Sequence, residues 1–125
     1  MSEKPLILNV GSNCRNVELL NQFLNKEGYE TIGVSNLEEL DRQLREFSEI
    51  KSEIKLVMLD IAGFDRTIWQ RCEQLQNQQI PFLVISPKQS TTIQLQSLAH
   101  GARSMLVKPL VMQQLLAFIK SLLGE

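Results

Sequence analysis

The sequence predicts an α/β domain: five strand–helix units in series, folded as a parallel sheet with helices on both faces. Three observations carry this. Short apolar runs alternate with longer stretches in which apolar residues recur at helical spacing. Two of those runs, "LVML" and "FLVI", are apolar without interruption, as strands buried on both faces of a parallel sheet must be. The alternation continues along the whole chain without a linker, an internal repeat or a long low-complexity segment, so residues 1–125 read as a single domain.

Each element has its own signal. Leu6 to Val10 is a short, mostly apolar strand ended by Gly11. From Cys14 to Glu27, Val17, Leu20, Phe23 and Leu24 fall at helical spacing, and Gly28 ends that helix. Tyr29 to Val34 is the second strand. Asn36 caps the second helix with Glu39 as its reciprocal partner, and Leu37, Leu40, Leu44 and Phe47 form the buried stripe. Lys55 to Asp60 is the third strand, with a carboxylate at its end. Ile68, Cys72 and Leu75 mark the third helix, and Pro81 to Ser86 the fourth strand. Ile93, Leu95, Leu98 and Ala99 lie on the fourth helix. Ala102 to Pro109 is the fifth strand, stopped by Pro109, and the last helix runs from about Val111 to Leu123.

Composition narrows the function. The chain is 43% hydrophobic and 22% charged with a formal net charge of −1, an ordinary balance for a soluble domain. Lysines and arginines are dispersed, and no basic patch or helix-turn-helix pattern points to nucleic acid. The apolar stretch near the N-terminus is too short for a signal peptide or a membrane span. Cys14 and Cys72 have no metal-like spacing, and a cytoplasmic protein with reduced thiols is expected.

In parallel sheets of this type the ligand crevice lies beyond the carboxyl ends of the strands. Gly11, Ser12, Asn13, Asp60, Ser86 and Lys108 fall there. One carboxylate, one hydroxyl and one ammonium thus converge.

Those residues carry a resemblance. "LVMLD", "VIS" and "HGARSMLVKP" occur in the order and spacing of the receiver domain of bacterial two-component response regulators, and the match covers nearly the whole chain. The resemblance implies a flavodoxin-like (βα)5 three-layer sandwich with strand order 2-1-3-4-5. It implies a phosphoacceptor position at Asp60, with Ser86 and Lys108 beside it.

Four departures run against that pattern. Receivers usually place two acidic residues after the first strand to help hold Mg²⁺; here Gly11 and Ser12, or in a shifted register Ser12 and Asn13, stand in that place. Magnesium takes near-octahedral oxygen ligands, typically with one or two carboxylates, and Asp60 supplies one. Asn13, Asn16 and Asp65 are the oxygen-bearing residues that would have to replace the missing acids. Pro87 follows Ser86 where a backbone N–H usually reaches the phosphoryl oxygens. The loop "DIAGFDR" is shorter than the usual Met-Pro-containing loop, and Met105 stands where an aromatic switch residue is common.

Structural alternatives are simple. Asp60 pairs with Lys108 and stays ionised. Ser86 bonds a local backbone group. Ser12 or Asn13 caps the first helix. Asn9 is a satisfied amide in a central strand, because an unsatisfied one costs about 1–3 kcal/mol. Cys14 is an inert thiol near a helix start and Cys72 is core. Trp69 and His100 are partly buried helix residues, and Lys88 and Arg103 surface charges.

The last helix is apolar over an arc of about 160°, wider than the roughly 100° needed to cover a sheet face. Met112, Leu116 and Leu123 lie on the surplus edge, with Met105 on the preceding strand. Receivers often pair or dock through the fourth helix, fifth strand and fifth helix, so the resemblance makes this edge an interface, possible partners being a second copy of the chain, a histidine kinase or another signalling protein.

The leading expectation is therefore a degenerate receiver, standing alone because no output domain follows Glu125. It acts as a protein-interaction module, is not an enzyme and needs no cofactor. The alternative is a working response regulator phosphorylated on Asp60 by a histidine kinase with Mg²⁺. A small flavin- or nucleotide-binding protein of the same fold ranks below both, with Trp69 and Tyr29 to stack on a ring.

Overall fold

A computed structural model describes residues 4–49 and 53–124. Five strands, β1 (Leu6–Val10), β2 (Glu30–Val34), β3 (Leu56–Asp60), β4 (Phe82–Ser86) and β5 (Ser104–Val107), form one parallel sheet in the order β2-β1-β3-β4-β5. Helices α1 (Cys14–Lys26), α2 (Leu37–Glu49), α3 (Ile68–Asn77), α4 (Thr91–Ala99) and α5 (Met112–Leu122) connect and cover it. This is the flavodoxin-like receiver architecture. Observed limits lie within about two residues of the expected ones, the usual uncertainty at element ends.

The twofold alternation of strand side chains divides the core in two. Leu8, Val10, Val57, Leu59, Phe82 and Val84 face the side covered by α2 and α3, where Leu40, Leu44, Ile68, Cys72 and Leu75 pack. Ile7, Leu56, Met58, Leu83, Ile85 and Leu106 face the other side, against Leu24 of α1 and Leu115 and Ile119 of α5. The stripe expected for α2 is the observed one. A forked contact from Arg71 to Asp41, at 2.9 and 3.2 Å, ties α3 to α2.

Helix α4 is different. Its buried residue is Ser97, whose hydroxyl donates to Ile93 O at 2.7 Å, while Leu95 and Leu98 are 63% and 51% exposed. Ile93 and Ser97 are four residues apart and share the inward face, which leaves the leucines on the outward one.

Side-chain caps start three helices: Asn13 Oδ1 accepts Asn16 N–H at 3.1 Å, Asn36 Oδ1 accepts Glu39 N–H at 2.8 Å, and Ser90 Oγ accepts Ile93 N–H at 3.2 Å. Past their C-terminal ends α1, α4 and α5 turn on glycines with positive φ, but α3 turns on Gln79 at φ 60°.

Candidate functional site

Parallel pairing sets the strand ends side by side. Asp60 lies opposite Ile85, Ser86 opposite Val107, and Val10 opposite Leu59, so the residues that follow β1 and β5 meet the ends of β3 and β4. The site gathers Gly11, Ser12, Asp60, Ser86, Pro87 and Lys108 at this edge.

Both oxygens of Asp60 are held by the chain. Lys108 Nζ is 2.5 Å from Oδ2, and Ala62 N–H donates to Oδ1 at 3.2 Å. The carboxylate side chain is 16% exposed and the lysine 30%, so the pair is largely, though not completely, withdrawn from water. Ser86 is buried and turned into its own loop: its hydroxyl donates to Lys88 O at 2.6 Å and accepts Lys88 N–H at 3.3 Å. Pro87 has no N–H to offer beside it.

Gly11 is buried against Asp60. A Cβ at that position would lie 3.5 Å from Asp60 Cβ and 3.0 Å from Val17 Cγ2. A side chain at position 11 would therefore start beside the carboxylate, and glycine supplies none. The next residue, Ser12, donates its hydroxyl to Ala62 O at 2.8 Å, stitching the loop after β1 to the loop after β3. Gly63, at φ +83°, makes room for that stitch, since a Cβ there would collide with Ser12 Oγ. Asn13 caps α1, so its Oδ1 is already engaged.

Of the other oxygen-bearing residues weighed as magnesium ligands, Asn13 caps α1 and Asp65 is engaged within its own loop, while Asn16 lines the same cleft as Asp60. Asp65 is exposed and accepts from both the hydroxyl and the N–H of Thr67, and the Thr67 hydroxyl above all holds its carboxyl below the usual carboxylate range. Asn16 is exposed on the first turn of α1. Among the described residues no three His, Cys, Asp or Glu side chains gather into a metal-holding group. One carboxylate paired with a lysine is a poor match to the oxygen set Mg²⁺ takes.

Asn9 is 2% exposed, and its Nδ2 donates to Asn21 Oδ1 at 3.2 Å and reaches Val17 O at 3.5 Å, fastening β1 to α1. Cys72 is fully buried, and burial pushes its thiol up to about 12; Cys14 is exposed. Trp69 stacks on His100 with ring centroids 5.4 Å apart, and Tyr29 is 3% exposed within the core. The two aromatics assigned to a flavin or nucleotide ring are thus already packed.

The surplus edge assigned to α5 is partly covered by the fold. Met112, Leu116 and Leu123 are half-buried against the core on the α1–α5 side, and Met105 packs against the core on the other. Among the described residues the large apolar side chains left in water are Leu95 and Leu98 on α4, Val111 at the start of α5, and Leu19 on α1. The i, i+4 pair Ile93 and Ser97 was the available signal for α4. Sequence reasoning also missed a cleft of about 600 Å³ between α1 and the start of α5, which Asp60 and Lys108 line.

Among the described residues no helix is long and apolar enough to cross a membrane. No family model matches the chain. It is 30% identical over 118 residues to the uncharacterized transcriptional regulatory protein YvcP of Bacillus subtilis, covering 94% of this chain and 48% of that one. It is 26% identical over 104 residues to the sensory transduction protein BceR of Halalkalibacterium halodurans, covering 83% and 43%. The chain thus spans about half the length of the curated relatives it matches. Among solved structures it resembles a two-component response regulator from Clostridium difficile at 25% identity, with a TM-score of 0.81 and 98% of each chain covered.

Proposed function

We propose that the chain works as a receiver domain of the response-regulator type and signals by protein–protein contact without Mg²⁺-dependent phosphorylation of Asp60. The observation that carries this reading is the pairing of Gly11 with Asp60. The position whose side chain would start 3.5 Å from Asp60 Cβ has no side chain, and the next residue, Ser12, is tied to Ala62 O. Phosphoryl transfer depends on charge neutralisation by metal ions and on donors aimed at the developing charge. Here Gly11 brings no carboxylate beside Asp60, Ser86 is bonded to Lys88, and Pro87 supplies no N–H. A stable acyl phosphate on Asp60 would contradict this reading.

The docking surface in this account is the face around β5, an edge strand of the sheet. Helix α4 packs beside β5 on one side, and α5 borders it through a groove of about 270 Å³ lined by Val111 and Phe118. Leu95 and Leu98 stand exposed on an α4 that has no charged residue. A second copy of the chain and a signalling partner are the occupants this surface suits. Leu98→Glu tests it: a half-exposed position tolerates the charge, so the variant folds like wild type and loses self-association or partner binding in sedimentation and co-purification. A variant that keeps every association of the wild type removes α4 from the interface.

A further inference from the structure

We propose that the cleft between α1 and the start of α5 is a binding site for an uncharged small organic molecule with an apolar body and a hydrogen-bonding head. Its volume, about 600 Å³, falls within the range of small-ligand pockets. Leu19 and Leu20 of α1 form one wall, and Leu110 and Met112 form the other. Leu19 is 52% exposed, so an apolar guest laid against it removes surface that the fold itself leaves in water. Methionine at position 112 adapts its shape to what it touches.

The head group follows from the charges the cleft presents. Asp60 and Lys108 both line it and neutralise each other at 2.5 Å. The carboxylate has more lone pairs than its two partners use, and the ammonium has three N–H donors of which Asp60 takes one. An acceptor and a donor therefore sit side by side with no net charge. Attraction and repulsion from the paired charges largely cancel for an anion or a cation, so neither gains enough to offset the loss of its own hydration. A carboxamide, a urea or a phenol meets both groups favourably. Asn9, also lining the cleft, uses its amide nitrogen on Val17 O and Asn21 Oδ1, so its Oδ1 presents a further acceptor. The chemistry does not depend on whether Asp60 takes a phosphoryl group, so this proposal and the preceding reading fail separately.

The test uses the intact chain and two fluorescent probes of similar shape. N-phenyl-1-naphthylamine is neutral and carries one N–H; 8-anilinonaphthalene-1-sulfonate adds a negative charge. The neutral dye is expected to bind saturably, one per chain, and at least about tenfold more tightly than the sulfonate, because the floor has no net positive charge to offer. Leu19→Glu, at an exposed position that tolerates the change, is expected to weaken the neutral dye by about tenfold or more. Gln70→Glu, a change to the same residue at an exposed position on α3, which packs on the other face of the sheet, is expected to leave binding unaltered. Equal affinity for the two dyes, equal loss in both variants, or no saturable binding overturns the proposal. The last result is also what a cleft shaped for a partner's side chain would give.

Discussion

Replacing Asp60 by asparagine separates a structural carboxylate from one held for chemistry, and the sign of the stability change decides. Asparagine keeps Oδ1 to accept from Ala62 N–H, but removes the charge and turns an NH₂ group toward Lys108. At 2.5 Å and an effective dielectric near 20 the gross attraction lost is about 6–7 kcal/mol. Most of that is offset by desolvation of the two ions. Lys108 remains 30% exposed and regains some hydration when its partner goes, so the net loss is about 1–2 kcal/mol. Lys108→Met leaves the carboxylate alone at 16% exposure, and its loss is larger, about 2–3 kcal/mol. The double variant loses less than the sum of the two. Urea unfolding followed by Trp69 fluorescence measures all three; 1–2 kcal/mol moves the midpoint by about 1 M for a domain of this size. A site in which Asp60 is crowded by other negative groups or held strained for catalysis would respond oppositely. Stabilisation by Asp60→Asn, or additivity of the two substitutions, refutes the reasoning.

Two further outcomes follow from features outside the site. Gln79→Gly should stabilise the domain by about 0.5–1 kcal/mol in the same urea assay, because Gln79 holds φ 60° at the end of α3 where glycine meets no Cβ penalty; a loss of stability would show that the glutamine side chain contributes more than its backbone conformation costs. An alkylating reagent near neutral pH should modify Cys14 alone in the native protein and both thiols in denaturant, since Cys72 is fully buried and its thiol is pushed up to about 12. Intact-mass measurement reads the count, and rapid native labelling of Cys72 would mean that the α3 side of the core opens readily.

The fold was legible because its signals are local and mutually consistent. Apolar runs gave the strands, Asn36 with its spacing gave the start of α2, and the strand-end rule placed Asp60, Ser86 and Lys108 together. What was not legible depended on the third dimension. Whether Gly11 and Ser12 or Ser12 and Asn13 follow β1 beside Asp60 was not legible, because the close approach of Gly11 to Asp60 and the capping bond of Asn13 exist only in the folded chain. Helical angle alone does not show how far neighbouring elements reach over the apolar edge of α5, where Leu116 is half-buried. In α4 the apolar residues fall on both faces, so Leu95 and Leu98 carried no sign of direction until Ser97 was seen to point inward. The cleft beside Asp60 is bounded by residues from α1 and from the segment after β5, far apart in sequence, and no periodicity reports it.

The most direct test of the account is intact-mass spectrometry of the chain after incubation with acetyl phosphate and millimolar Mg²⁺, with Asp60→Ala as the reference. The account predicts unmodified protein in both samples, because position 11 brings no ligand beside Asp60 and Pro87 removes a phosphoryl donor. A stoichiometric phosphoryl adduct on the wild-type chain, absent from Asp60→Ala, would contradict it and make Asp60 a working phosphoacceptor.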